Sequence, residues 1–182
     1  MIPPNETILA LITPYLEQIR QCIGLAWQDY NAECEGIRHK TTATTRAAIV
    51  RDNMVYHVKR LFSDIQGVDC FQRGQLFLLI IGNQVCIKFK KLGGNMKPRY
   101  IPTQQALSYM EQVEIPGIPQ ASRWVAGYRL DELQTGIKNI LLTYPMGAKS
   151  IPWYLELTPT INTIFTPSKE ESEDRRKAHG QS

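Results

Sequence analysis

The chain of 182 residues has few of the side chains that build metal sites or disulfide frameworks. It contains three histidines and four cysteines. The cysteines (Cys22, Cys34, Cys70 and Cys86) form no C-x-x-C pair, and no two histidines lie at ligand spacing. We therefore expect no structural zinc site, no other bound metal and no cofactor. We interpret the thiols as the reduced cysteines of a cytoplasmic protein.

Long apolar runs and targeting signals are also missing. No run approaches the ~20 apolar residues that a membrane span needs. The N-terminal residues 1–12 have neither a basic region nor a small-residue cleavage site, so no secretory signal is expected. The glycines at 93–94 lack the Gly-Lys-Ser/Thr of a Walker loop, and no nucleophile elbow is present. The sequence predicts a protein without a membrane span and offers no catalytic signature.

What remains is the composition of an ordinary folded protein, with 43% hydrophobic and 21% charged residues. The net charge of +4 is too small to prove a polyanionic partner by itself. Residues 167–182 are almost wholly polar, and their four basic and four acidic side chains cancel. We predict a single domain over residues 1–166 that carries the net charge, followed by a disordered polar tail over 167–182.

Two helices are predicted to open the domain. Apolar residues recur at spacings of three and four, and Thr13-Pro14 predicts a turn followed by a helix over residues 14–33. We interpret its apolar stripe as core packing, and a docking surface for a second chain is the alternative. A second helix is predicted over residues 42–65.

The second predicted helix presents Arg46, Asn53, His57 and Arg60 on one face. Arg51 instead projects into the apolar arc of that helix. A buried arginine needs a carboxylate or several carbonyl oxygens around it. We interpret Arg51 as a long side chain at the edge of the core whose charged end reaches solvent. An arginine that binds a partner or forms part of a site is the alternative.

Residues 76–91 have the pattern of a β-hairpin with a Gly-Asn turn at 82–83. The first strand is apolar on both faces, which predicts a central strand covered from both sides. The second strand alternates, so that Lys88 and Lys90 are expected on one face while Lys91 ends the strand on the other.

The remaining pattern predicts a short helix over residues 104–112 and strands over 124–130, 138–144 and 153–157. The order is two helices, a hairpin, a helix and three strands. This order predicts the α+β class, with an N-terminal helical pair packed on a mainly antiparallel sheet.

Five cations lie within twelve residues of the hairpin and its loop, with Phe89 and Tyr100 between them. They are Lys88, Lys90, Lys91, Lys97 and Arg99. Such a set could follow the phosphate backbone of RNA or DNA. A charged edge strand that resists aggregation is the alternative. Together with Arg51, these residues are the candidates for binding a nucleic acid or a partner protein.

Catalysis has fewer candidates. In nucleases that carry an acid two residues before a strand lysine, that acid holds a divalent metal, but here Cys86 stands two residues before Lys88. A metal-independent ribonuclease would need a general base or acid and cations for the phosphate. The candidates for these roles are His57, Arg46 and Arg60, and a solvated helix face is the alternative.

Residues 75–157 resemble a group of bacterial and prophage proteins. The shared features are the lysine-ending hairpin, a Pro-Thr-Gln-Gln helix start at 102–105, a Val-Ala-Gly-Tyr-x-Leu-Asp strand at 125–131 and a Pro-x-Gly loop at 145–147 before a Trp strand. These proteins look like toxin partners of antitoxins that join a helix-turn-helix to a zinc-peptidase-like domain.

The resemblance implies the effector (toxin) component of a bacterial or phage toxin–antitoxin or defence module. Such an effector would be neutralised in a hetero-complex by an antitoxin-like protein with an acidic docking face. The matching positions are Lys88, Lys90, Thr103, Gln104, Gln105, Tyr128, Asp131 and Gly147. The residues themselves leave two other hypotheses open: a non-catalytic nucleic-acid-binding accessory protein and a metal-independent ribonuclease.

Overall fold

The structure is a computed structural model that describes residues 5–98, 103–147 and 153–158. Over these ranges the helices are α1 (Glu6–Ile12), α2 (Leu16–Glu33), α3 (Ala43–Phe62) and α4 (Gln104–Met110). The strands are β1 (Val68–Arg73), β2 (Leu76–Ile81), β3 (Val85–Lys91), β4 (Ser122–Leu130), β5 (Ile137–Tyr144) and β6 (Trp153–Glu156). The tail predicted over 167–182 lies outside the described residues, as do Arg99 and Tyr100.

The six strands form one sheet in the order β1-β2-β3-β4-β5-β6. Neighbouring strands are antiparallel except β3 and β4, which are parallel. A parallel pair needs a crossover connection, and α4 lies within the connection between these two strands. The predicted α+β class with a mainly antiparallel sheet is confirmed.

The hairpin formed by β2 and β3 is also confirmed. Gly82 and Asn83 have φ angles of 56° and 55°, and a two-residue turn with both φ values positive matches the twist of the flanking strands. All six residues of β2 are buried. The expected central strand, covered from both sides, is therefore present.

Helices α2 and α3 cover one face of the sheet. The buried residues of α2 are Ile19, Cys22, Ile23, Ala26, Trp27 and Tyr30. These side chains belong to one hydrophobic cluster with residues of β2, β3 and β4. The apolar stripe of α2 thus packs in the core, as we interpreted it. The predicted turn is present as a 3-10 segment, Thr13–Tyr15, with Pro14 near its start.

Helix α4 and the loop after it cover the other face of the sheet. Tyr109 of α4 packs there with buried residues of the central strands, among them Leu78, Cys86, Val125 and Leu141. Helices on both sides explain why β2 has no polar face.

Strand β1 was not predicted from the sequence. Only Val68 is buried among its six residues, and most of the others are exposed. Because β1 is an edge strand, one side of its backbone is unpaired and its side chains lie largely in solvent, which removes the apolar alternation that identifies a strand. Helix α3 ends at Phe62, three residues before the predicted boundary, and two turns then lead into β1.

Among residues 5–98, 103–147 and 153–158, every helix is too short or too polar to span a lipid bilayer. The four cysteines form no disulfide bond, and Cys70 alone among them is exposed.

Candidate functional site

A cleft of about 590 Å³ opens at the end of the sheet where β3 and β4 finish. One wall is the first half of α3, which contributes the small side chains of Ala43, Thr44, Ala47 and Ala48. These residues recur at spacings of three and four, so they lie on one face of the helix. Because these side chains are short, they leave part of the space between α3 and the strands unfilled.

The opposite wall, at the ends of β3 and β4, carries three of the four cations that line the cleft, and the fourth comes from α3. Lys90 and Lys91 end β3, Arg129 lies near the end of β4, and Arg51 projects from the next turn of α3. We call the space that these four residues and the small face of α3 enclose the basic cleft. Four cations on the walls of one concave space give it a positive local potential, which the net charge of the chain does not reveal.

Two acidic residues also line the basic cleft, Asp131 and Glu132. The carboxylate of Asp131 accepts hydrogen bonds from the backbone N–H and the hydroxyl of Thr135, at 2.9 and 3.1 Å. These bonds, led by that from the Thr135 N–H, hold the pKa of Asp131 below its usual value. The Asp131 carboxylate thus stabilises the β4–β5 turn, which forms the rim of the cleft.

Arg51 is anchored at the wall by two contacts. Its guanidinium donates to the carbonyl oxygen of Gln75 at 2.6 Å and to Oδ1 of Asp52 at 2.9 Å. The Arg51 side chain is 21% exposed, whereas that of Asp52 is 71% exposed. Arg51 therefore lies at the edge of the core, as first interpreted, and it also lines the cleft; that it binds a partner stays a hypothesis.

The ladder between β2 and β3 stops short of the cleft. Paired positions run from Ile81–Val85 to Leu79–Ile87, although both strands continue beyond the last pair. Strand β2 remains paired with β1 over its whole length, and β3 remains paired with β4. We call the unpaired stretch between residues 76–78 of β2 and residues 88–91 of β3 the seam. Lys88 is the first residue of β3 in the seam.

Lys88 is held in the seam above an aromatic ring. Its Nζ atom lies 5.1 Å from the centroid of the Tyr109 ring. The Tyr109 hydroxyl donates to the carbonyl oxygens of Cys86 and Trp124 at 3.0 and 2.8 Å. These two bonds fix the ring, and the ring fixes the position of the ammonium group.

The environment of Lys88 and Lys90 disfavours positive charge. Burial, followed by the charges of Lys90 and Arg51, lowers the pKa of Lys88 to about 8. Burial, followed by Arg51, also lowers the pKa of Lys90. Cys86, Lys88 and Lys90 share the α4 side of β3, as the alternation predicted. Within the described ranges, neither lysine makes a hydrogen bond or an ion pair with a carboxylate.

Of the three residues proposed for ribonuclease chemistry, Arg46 lies far from His57, whereas Arg60 is one turn of α3 away from it. His57 is 4% exposed, and its Nε2 lies 2.5 Å from Oδ2 of Asp29, so it joins α3 to α2. Arg46 donates to the side chain and the carbonyl oxygen of Gln134 at the rim of the cleft. Arg60 is exposed in the last turn of α3. Arg46 and His57 are eleven residues apart, or roughly 16 Å along the helix axis.

The loop cations have a different position. The backbone N–H of Lys97 donates to Oδ1 of Asn95 at 3.2 Å, in the turn that returns from β3. Leu92 and Pro98 form a bridge across this turn. Lys97 is not among the residues that line the basic cleft.

Of the eight positions that carry the resemblance, only Lys90 and Asp131 line the basic cleft. Thr103 caps α4 by accepting from the N–H of Ala106 at 3.2 Å. Tyr128 is buried against α2. Gly147 has a φ of 94° and donates its N–H to the carbonyl oxygen of Met110 at 3.0 Å. Gln104 and Gln105 are exposed in the first turn of α4.

Sequence reasoning missed Arg129 and Tyr109 as parts of the site. Alternation along β4 places Arg129 on the same face as Gly127, which pairs with Lys90. That signal could be used only after β3 and β4 were known to be neighbours. Tyr109 gave no sequence signal, because an aromatic residue on a short helix is equally compatible with plain core packing.

In the part of the chain that the structure describes, no group of three or more His, Cys, Asp or Glu side chains is placed to hold a metal ion. Comparisons with protein-family models, curated proteins and solved structures find no match for this chain.

Proposed function

We propose that the protein binds the phosphate backbone of a nucleic acid in the basic cleft, without reading its bases. The observation that carries this proposal is the convergence of Arg51, Lys90, Lys91 and Arg129 on one concave space. Lys90 has no carboxylate partner in the described ranges. A cation without an internal counter-charge is stabilised by an external polyanion, and the counterions released from the nucleic acid drive the association.

The shape of the cleft favours a single strand. A protein that reads a duplex inserts a helix or a β-ribbon into a groove, whereas here the cations line a recess. A single strand can enter such a recess because its backbone bends, and a positively charged groove is the usual device for holding it. We therefore expect single-stranded RNA or DNA to bind more tightly than duplex of the same sequence.

The experiment is a salt titration of oligonucleotide binding, followed by fluorescence anisotropy with a labelled single strand. The test variant is Lys90→Gln with Lys91→Gln. The matched control is Lys59→Gln with Arg60→Gln, which removes the same charge from two exposed residues at the far end of α3. For single strands the slope of log affinity against log salt should fall by roughly 0.7 for each phosphate that the variant no longer neutralises.

The expected result is a slope smaller by about 1.4 in the cleft variant and unchanged in the control. Equal decreases in both variants would show that binding follows total charge and not the cleft. An affinity that does not change with salt would contradict the proposal outright.

The resemblance supports a second candidate, an effector that a partner protein holds inactive. The apolar stripe of α2 is buried in the core, so such a partner must dock elsewhere. An acidic segment laid in the basic cleft would complement its charge and block nucleic acid from it. Expression of this chain alone, and together with the protein encoded beside it, tests this candidate. A growth defect that the neighbour relieves supports it, whereas a neighbour that never co-purifies and a chain without effect on growth contradict it.

A further inference from the structure

Three cations, Lys88, Lys90 and Arg51, come close together where the seam meets the basic cleft. Lys88 and Lys90 share one face of β3, and the Arg51 guanidinium reaches the carbonyl oxygen of Gln75, directly before β2. Lys90 and Arg51 also line the basic cleft, so the three cations adjoin it. The fixed ring of Tyr109 lies beneath Lys88.

Three cations, with Arg51 paired to the Asp52 carboxylate at 2.9 Å, leave a charge of about +2 beside the seam (3 − 1), which exceeds what an internal phosphodiester can neutralise. An internal phosphodiester carries a single negative charge and a sugar on each side. A terminal phosphate monoester carries a charge of about −1.5 to −2 at pH 7, has three strong acceptor oxygens and is attached to the chain at one side only. The monoester is the better match for three clustered cations of which one already has a carboxylate partner.

We propose that Lys88, Lys90 and Arg51 form a subsite for the terminal phosphate monoester of an oligonucleotide. This inference rests on the proposed binding of a nucleic acid in the basic cleft and adds a preference for phosphorylated ends. The phosphate can stand at the 5′ or the 3′ end of the strand, and the measurement separates the two.

The groups around Lys88 determine how binding depends on pH. From β3 these are Lys90 and Cys86, from α3 Arg51, from α4 Tyr109 and from β4 Arg123, whose guanidinium lies over the same Tyr109 ring. None of them is a carboxylate. A phosphate dianion beside Lys88 favours the protonated amine and raises its pKa above the value of about 8 in the free protein. Binding near pH 8.5 therefore takes up part of a proton.

The test compares one single-stranded sequence in three forms: hydroxyl at both ends, phosphate at the 5′ end, and phosphate at the 3′ end. The full-length protein is expected to bind one phosphorylated form at least about tenfold more tightly than the hydroxyl form, since hydrogen bonds to charged groups are among the stronger ones. In Lys88→Met this ratio should approach one. In Arg60→Met, an exposed control on α3, the ratio should equal that of the unchanged protein.

Calorimetry supplies a second readout that a purely structural role of Lys88 would not change. Titrations at pH 8.5 in two buffers of different ionisation enthalpy give the number of protons taken up. The phosphorylated form should give uptake in the unchanged protein and clearly less in Lys88→Met, where Lys90 alone remains to take up a proton. Thermal unfolding of both proteins, measured in parallel, shows whether the variant is folded.

The two proposals fail in different ways. Equal affinity for all three forms would overturn the subsite and leave backbone binding intact. If no oligonucleotide binds, the proposed function fails. The subsite then stands if phenyl phosphate, as a small monoester probe, binds with the same dependence on Lys88, and it fails if phenyl phosphate does not bind.

Discussion

The environment of Lys88 disfavours its positive charge in one way and favours it in another. Its ammonium group is largely removed from water and lies close to Lys90 and Arg51, which together lower its pKa to about 8. The contact with the Tyr109 ring, at 5.1 Å, offsets part of this cost. A buried cation without a carboxylate partner lowers the free energy of unfolding, and sites that bind ligands often carry such a loss of stability.

Replacing Lys88 with methionine should raise the free energy of unfolding at pH 7, by about 1 to 3 kcal/mol. The pKa of Lys88 is lower in the folded state than in the unfolded chain, so between about pH 8 and 10.4 the unfolded chain binds more protons. The loss of stability that the buried charge of Lys88 causes therefore decreases as the pH rises through this window. Urea unfolding of both proteins from pH 7 to 10.5 measures the difference, which should narrow towards high pH.

The control for this prediction is Lys40→Met. Lys40 is exposed at the end of the 3-10 segment Glu35–Lys40, and its replacement should change the free energy of unfolding by less than about 0.5 kcal/mol at any pH. A Lys88→Met protein that is less stable than the original at pH 7 would contradict the prediction and show that the lysine stabilises the seam.

His57 has a structural place in this fold. It is buried, and its Nε2 pairs with Oδ2 of Asp29 at 2.5 Å between α2 and α3. We expect His57→Ala to lower the free energy of unfolding by about 1 to 3 kcal/mol, since it removes a partner from a charge-assisted hydrogen bond. A double-mutant cycle with Asp29→Ala should give a coupling energy of about 0.5 to 3 kcal/mol.

Strictly additive effects of His57→Ala and Asp29→Ala on the free energy of unfolding would contradict the structural assignment. In a separate assay, RNA incubated with the purified protein should remain intact, both for the original protein and for His57→Ala. Cleavage of RNA that disappears in His57→Ala would restore the ribonuclease hypothesis.

At the scale of single elements, much of the fold could be predicted from local pattern. Helices α2 and α3, the hairpin turn and strands β4, β5 and β6 were all found, because each has its own periodicity, cap or turn residues. Strand β1 was missed because its side chains are mostly exposed. The parallel pairing of β3 with β4 was not predicted either, because register between strands far apart in sequence has no local signal.

The same limit applies to the site. The alternation of β3 placed Lys88 and Lys90 on one face, and this was confirmed. The neighbours that give these lysines their chemistry, Arg51, Arg129 and Tyr109, come from three other elements. Bringing them together depends on the crossover between β3 and β4, which pattern alone does not specify.

Gly127 lets β3 and β4 approach each other closely at the cleft. A methyl group added there would lie 2.0 Å from the carbonyl oxygen of Lys90, and backbone atoms have little freedom to move. We expect Gly127→Ala to lower the free energy of unfolding by about 1 to 3 kcal/mol or more. It should also weaken oligonucleotide binding, because Lys90 is displaced. Urea unfolding and anisotropy measure the two effects.

The chain provides a matched control in Gly24, which lies inside α2 with open space around it. Gly24→Ala should stabilise the protein by roughly 0.5 to 1 kcal/mol, because alanine is the better helix former. If Gly127→Ala is as stable as the original and binds as tightly, the close contact between the strands does not hold Lys90 in place.

At the scale of the whole molecule, the placement of charge matters more than its sum. A net charge of +4 on 182 residues is modest, and it would attract a polyanion only weakly if it were spread evenly. The fold instead collects Arg51, Lys90, Lys91 and Arg129 at one end of the sheet, while Arg60 lies in the last turn of α3. Two substitutions that change the net charge equally can therefore have different effects.

Lys91→Glu and Arg60→Glu each lower the net charge by two, from +4 to +2. We expect Lys91→Glu to slow association with a single-stranded oligonucleotide by at least about tenfold at low salt, since a cationic cleft raises on-rates by roughly 10 to 1,000-fold. Arg60→Glu should slow it by less than about threefold, and the two rates should converge as screening shortens the range of the field. Stopped-flow measurements from 20 to 500 mM salt, over which the screening length falls from roughly 20 to 4 Å, follow this convergence. Equal rates for the two variants at every salt concentration would mean that the position of the charge does not affect association. The basic cleft would then not be the surface that binds the nucleic acid.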